Sequence, residues 1–158
     1  MNRALLVLVD VAAWGAIHAS TGYLVHRLPA RSFDHDTVLT RARRFERDGR
    51  FYTDVLRIKR WKGSLPEAGA FFAGGFDKKH LQGAANADLA TFARETRRAE
   101  LGHWLAAVAA PLFFLWNPWY AGVAMLVYAA LVNGPCIAAQ RYNRLRLVRI
   151  LRRRGNSR

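Results

Sequence analysis

The sequence has 158 residues, enough for one domain, with 25 basic against 11 acidic side chains and a net charge of +14. That excess points to anionic partners: lipid head groups, or phosphorylated or acidic-protein substrates. Nucleic acid is set aside because the cations flank hydrophobic stretches, and the single Cys136 excludes a disulfide or a cysteine metal site within one chain.

Residues 4–25, "ALLVLVDVAAWGAIHASTGYLV", form the first apolar stretch. It is long enough to cross a hydrocarbon core of roughly 30 Å at about 1.5 Å per residue. Arg3 ahead of it resembles a signal peptide, but the length, Asp10, His18 and the lack of a clear cleavage site favour a retained helix. Asp10, Trp14 and His18 are spaced by four and share one face. An ionisable group inside a membrane helix calls for a partner within the bundle, and a hydrogen bond to Asn133 is the structural expectation.

Residues 26–98 are polar and basic. "HDTVLTRARRFERDGRFYTDVLRIKRWKG" reads as two short amphipathic helices broken near Asp48-Gly49, with Val38, Leu39, Phe45, Phe51, Tyr52, Val55, Leu56 and Trp61 on their apolar faces. Basic helices carrying Trp and Phe lie in membrane interfaces. "GSLPEAGAFFAGGFDKK" is loop-like, and a new helix is expected from a cap at Asn86 or Asp88, running into the second span.

From Leu101 to Gln140 there is no Lys, Arg, Asp or Glu. Forty helical residues would measure about 60 Å, two bilayer crossings. "WNPWY" (Trp116 to Tyr120) divides them with Asn, Pro and interfacial aromatics. The chain is therefore expected to be an all-α integral membrane protein, one membrane domain over 1–158. Spans fall at about 4–25, 99–116 and 119–140, followed by a basic tail, 141–158. Loop and tail hold 16 and 8 Lys/Arg, while the Trp116–Tyr120 turn holds none. The positive-inside rule then places loop and tail in the cytoplasm, with the N-terminus outside the cell membrane.

No G-x-S-x-G, P-loop, G-x-G-x-x-G, HExxH or HxxxxD pattern occurs. Candidates are therefore individual polar residues. Glu100 and His103 are three apart on one helix, where a carboxylate can orient an imidazole and raise its basicity. Lys78 and Lys79, beside the loop residue His80, could hold a phosphate or carboxylate. Metal binding by Glu100, His103 and His80 is the weaker reading, and no metal is expected. Gln140, Arg141, Asn143 and Arg144 close the third span at the same depth as Glu95–His103, so two polar clusters converge on one interface.

The runs "RIKRWKGSLPEAGAFF", "FDKKHL", "ETRRAELGHW" and "PCIAAQRYNRLRL" resemble, in order, the glycosyl-4,4'-diaponeurosporenoate acyltransferase family of carotenoid synthesis. The resemblance extends from about Arg27 to Arg154; Leu145 stands where proline is expected. It implies transfer of a fatty acyl group to a sugar hydroxyl of a glycosylated lipid or carotenoid. His80, Glu95, Arg97, Glu100, His103, Gln140, Arg141, Asn143 and Arg144 fall on its motifs. On that footing His103, oriented by Glu100, is expected to be the general base, with His80 the alternative. Arg141, Arg144 or Asn143 would steady the oxyanion or the donor phosphates. Glu95, Arg97, Lys79 and Gln140 complete the expected substrate contacts. The donor would be acyl-CoA or an acyl carrier protein; no resident cofactor is expected. With no serine or exposed cysteine nucleophile, direct transfer is expected over an acyl-enzyme. Membrane lipids are the other partners, and a homo-oligomer is compatible with the sequence. A non-catalytic lipid-binding or scaffold subunit is the alternative, its polar residues closed into salt bridges with no open cleft.

Overall fold

The computed structural model describes residues 2–65 and 85–156. Every regular element among them is helical: α1 (Arg3–Arg27), α2 (Arg50–Asp54), α3 (Asn86–Val108) and α4 (Trp119–Gly155), with short 3-10 turns between.

Local chemistry sets the ends of these helices. Asn2 Oδ1 accepts the Ala4 N–H at 2.8 Å and opens α1. Pro29 disfavours helical geometry at Leu28, which is extended, and α1 stops. Its last carbonyls are taken up from α3: Arg98 Nη1 donates to Val25 O and His26 O at 2.9 Å and to Leu28 O at 3.2 Å. A cation at the negative end of a helix is favourable, so this contact both caps and docks α1. At the start of α3, Asp88 accepts the Ala85 N–H at 3.1 Å. Pro111 has no N–H and would clash with a preceding carbonyl, so α3 ends at Val108 and the chain tightens into a 3-10 turn, Ala110–Leu115.

α4 then runs unbroken for 37 residues, roughly 55 Å. The basic tail expected from residue 141 is thus the continuation of this helix, out to Gly155.

α1 lies antiparallel to α3 and its 3-10 extension. A Cβ on Gly102 would meet Val25 at 3.4 Å. Further along, Trp14 stacks on Phe113 with ring centroids 4.7 Å apart. Asp10 accepts from Trp116 Nε1 and Asn117 Nδ2, both at 2.8 Å. The partner of Asp10 is therefore the turn after α3 and not Asn133, because the antiparallel register brings that turn to Asp10. α3 and its 3-10 extension pair with α4, from Leu89, Phe92 and Ala93 on Leu147 to Ala110 and Phe113 on Ala129.

Three spans were expected. Two helices, α1 and α4, are by themselves long and apolar enough to cross a membrane. The middle segment is charged in its first half and split at Val108, so it is not one long apolar helix. Leu5, Val7, Leu8 and Val11 on α1 and Val123, Val127 and Leu131 on α4 are exposed, so both helices turn apolar side chains outward.

The segment 30–64 departs furthest from expectation. In place of two amphipathic helices it forms short 3-10 turns and the five-residue α2. Tyr52 and Ile58 pack on Ala139 and Tyr142 of α4, while Val38, Phe45 and Val55 stay exposed. The chain breaks at Gly49, whose φ is +94° and whose position faces Tyr142. A side chain at that φ is strained, so Gly49→Ala is expected to cost about 1–2 kcal/mol. Thermal unfolding in detergent should show it, and an unchanged midpoint would mean the turn relaxes.

Candidate active site

α3 and α4 face each other across a seam that holds six charged groups. Glu100 is fully buried, at 0% exposure, and accepts Arg141 Nε on one oxygen and Arg144 Nη1 on the other, both at 2.6 Å. Trp104 Nε1 adds a bond at 3.3 Å. Glu46, at 1% exposure, reaches the same Arg141 at 3.1 Å and accepts the Tyr52 hydroxyl at 2.5 Å and the Arg43 N–H. Arg141 also donates to Leu39 O, and Arg144 to Thr40 O at 2.5 Å. At the margin Asp36 accepts Arg97 Nε at 2.6 Å and lies 3.6 Å from Arg144 Nε. Asp36, Glu46 and Glu100 balance Arg97, Arg141 and Arg144. The cluster is neutral, and the main donors of both α4 arginines are committed to carboxylates and carbonyls.

Burial, then the Glu46 carboxylate, pushes the Tyr52 phenol well above its usual range. Its folded value exceeds the unfolded one, so this stabilisation is complete below about pH 10 and is lost only in stronger alkali.

The expected pairing of Glu100 with His103 is replaced. His103 Nδ1 lies 3.0 Å from Asn133 Oδ1, one turn beyond Glu100 along α3. Asn133 is fully buried, and its Nδ2 donates to Ala129 O at 3.1 Å. Glu100 faces two guanidinium groups instead, because charge-assisted bonds outcompete one to a neutral imidazole. Asn133 is the functional candidate that sequence reasoning assigned elsewhere, to Asp10; its place on α4 across from His103 emerges only with the antiparallel register.

The remaining candidates are spread out. Asn143 Oδ1 accepts Lys62 Nζ at 3.1 Å. Glu95 pairs with Arg98 at 3.3 Å, away from the seam, and Gln140 forms no side-chain hydrogen bond among the described residues. Lys79 and His80 lie outside the described residues. Among the described residues no group of three or more His, Cys, Asp or Glu is placed to hold a metal ion.

Breaking a buried pair from one side strands the other charge. Glu100→Gln should therefore cost about 3–5 kcal/mol. Combining it with Arg144→Met should cost less than the two single losses together, by about 1–3 kcal/mol. Urea unfolding of the four proteins checks this; strict additivity would show that the two groups are not coupled.

The glycosyl-4,4'-diaponeurosporenoate acyltransferase family pattern matches residues 29–153. Curated relatives of that name from Staphylococcus aureus strains bovine RF122 / ET3-1 and USA300 are each 29% identical over 145 residues, covering 90% of this chain and 87% of theirs. The strain Newman relative is 28% identical over the same length. No solved structure matches. The chain belongs to the glycosyl-4,4'-diaponeurosporenoate acyltransferase family and is an acyltransferase.

Proposed function

We propose that the protein moves a fatty acyl group from a thioester, acyl-CoA or acyl carrier protein, to a sugar hydroxyl of a glycosylated lipid or carotenoid at the cytoplasmic membrane face, with His103 as general base. The relatives' name supports a glycosylated carotenoid as the first acceptor to try. The observation that carries the assignment is the His103–Asn133 contact. Because Asn133 Nδ2 donates to Ala129 O, its Oδ1 faces the imidazole as an acceptor. That places hydrogen on Nδ1 and leaves the Nε2 lone pair to take a proton.

The sugar oxygen attacks the thioester carbonyl carbon as its proton passes to Nε2. The C–S bond then breaks, and the departing thiolate takes the proton back from the imidazolium. Cys136 is buried and free, so direct transfer suits this chain better than an acyl-enzyme. Arg141 and Arg144 hold the seam that sets α3 against α4 and so fix the His103–Asn133 spacing, a positioning role and not contact with substrate.

We place the membrane as three crossings, the middle one completed by the Ala110–Leu115 turn, with the N-terminus outside. The charged half of α3, the basic end of α4 and the segment 30–64 all gather at the end of the bundle opposite the Trp116–Tyr120 turn, which supports a cytoplasmic loop and tail. A non-catalytic scaffold draws on the closed charge cluster, but it leaves the part-buried His103–Asn133 pair without a use.

In lipid, with labelled palmitoyl-CoA and a glycosylated carotenoid, His103→Ala should lower kcat by about 10²–10⁴-fold. Asn133→Ala should lower it by about 10–100-fold, as losses of an imidazole's orienting partner do. A folded His103→Ala protein at full rate would move the base to His80. No transfer by wild type to any acceptor, with lipid still bound, would favour the scaffold.

A further inference from the structure

Beside α2, a concavity of about 350 Å³ is lined by Thr53, Asp54, Arg57, Lys59 and Arg60. It lies outside the seam, and none of these residues belongs to the proposed chemistry. Arg57 has φ +48°, the one non-glycine residue with positive φ among those described. That conformation is costly for a residue with a β-carbon and persists where the surroundings enforce it.

Its effect is visible in its neighbours. The turn Ile58–Arg60 drives Ile58 to 0% exposure against Tyr52, Ala139 and Tyr142, while Arg57, Lys59 and Arg60 stay exposed. Trp61 Nε1 donates to Leu56 O at 2.8 Å and ties the loop across its base. The three cations thus project from a pinned backbone. The one carboxylate in the lining, Asp54, accepts the Thr53 hydroxyl at 2.7 Å, and among the described residues no ion pair joins it to the three cations. Three like charges held around one concavity repel one another, and a multivalent anion relieves that repulsion.

We propose that this pocket is a phosphate-ester site, with the guanidinium forks of Arg57 and Arg60 and the Lys59 ammonium taking the anionic oxygens. Ile58 sets the pocket against α4 at Ala139, six residues from Asn133, about 9 Å along the helix. A nucleotide anchored there would leave its pantetheine arm free to extend along α4 toward the proposed base. The phosphate belongs to the nucleotide end of a CoA donor or to a phospholipid head group. The donor assignment rests on the acyltransfer reading; the anion site does not.

The test uses full-length protein in detergent, titrated with adenosine 3',5'-bisphosphate by calorimetry, and flotation on phosphatidylglycerol against phosphatidylcholine vesicles. Arg57→Gln/Arg60→Gln is compared with Arg31→Gln/Arg44→Gln, which removes equal charge from exposed sites outside the pocket. We expect the pocket variant to bind the bisphosphate about tenfold more weakly and the control to stay within about twofold. Circular dichroism confirms folding, and Lys59→Gln should give a smaller loss in the same direction. Unchanged bisphosphate binding with selective loss of phosphatidylglycerol flotation would assign the site to a lipid phosphate. Equal losses in pocket variant and control, no loss in either, or no saturable binding of either phosphate by wild type would overturn the proposal. His103→Ala should bind the bisphosphate like wild type, so failure of the acyltransfer reading is distinguishable from failure of the site.

Discussion

Glu100 has no exposure and holds two arginines, one on each oxygen. The arrangement of α3 against α4 depends on this contact. On the proposed three-span reading these helices pack in lipid, where the hydrophobic effect gives little direction, because hydrocarbon tails are as apolar as leucine. What selects one packing is the placing of polar groups that must find partners. A slip of one turn along the seam would leave Glu100 or an arginine buried without an opposite charge, which is far more costly than a misplaced leucine.

Similar locks recur along the bundle. Near the turn between α3 and α4, Asp10 takes hydrogen bonds from Trp116 and Asn117 and fixes α1 to it. In the middle, Asn133 meets His103. At the far end of α1, Arg98 closes three carbonyls. Glu46, reaching Arg141 from the 3-10 turn Arg44–Gly49, fastens the segment 30–64 to the same cluster. The fold is thus pinned at several depths, with apolar packing filling the space between.

Much of this was legible in the sequence as element and composition. The apolar stretch at 4–25, the break at Trp116–Tyr120 and the restart of helix near Asp88 each follow from local residues. The convergence of Glu100 with Arg141 and Arg144 follows from two apolar stretches whose charged margins fall at one depth. Partner choice did not follow. Spacing offered Glu100 to His103, three residues away, but spacing says only that two side chains can meet. The competing guanidinium groups stand 41 and 44 residues further along, and only the paired helices bring them in. Glu46 and Asp36 were invisible for the same reason, being two carboxylates in a run of charges. The amphipathic reading of residues 35–63 failed because Tyr52 and Ile58 are anchored on α4, and this tertiary contact overrides helical periodicity.

The order of groups along α4 bears on the chemistry. Ala139 and Tyr142 support the exposed cations at 57–60, Arg141 and Arg144 form the neutral cluster, and Asn133 lies more than two turns before them along α4, with His103. The proposed transfer, from a donor with a charged, water-soluble end to an acceptor with a lipid tail, has to span such a gradient. Were Arg141 or Arg144 left unpaired one turn from His103, its positive field would disfavour the imidazolium that the proposed general base must become. Neutralising them with Glu46, Glu100 and Asp36 removes that penalty while keeping the arginines as structural clamps. A neutral partner, Asn133, then directs the proton on Nδ1 without adding a buried charge. The closed cluster and the proposed base are in this sense parts of one arrangement, and the closure is as compatible with chemistry next to it as with a scaffold.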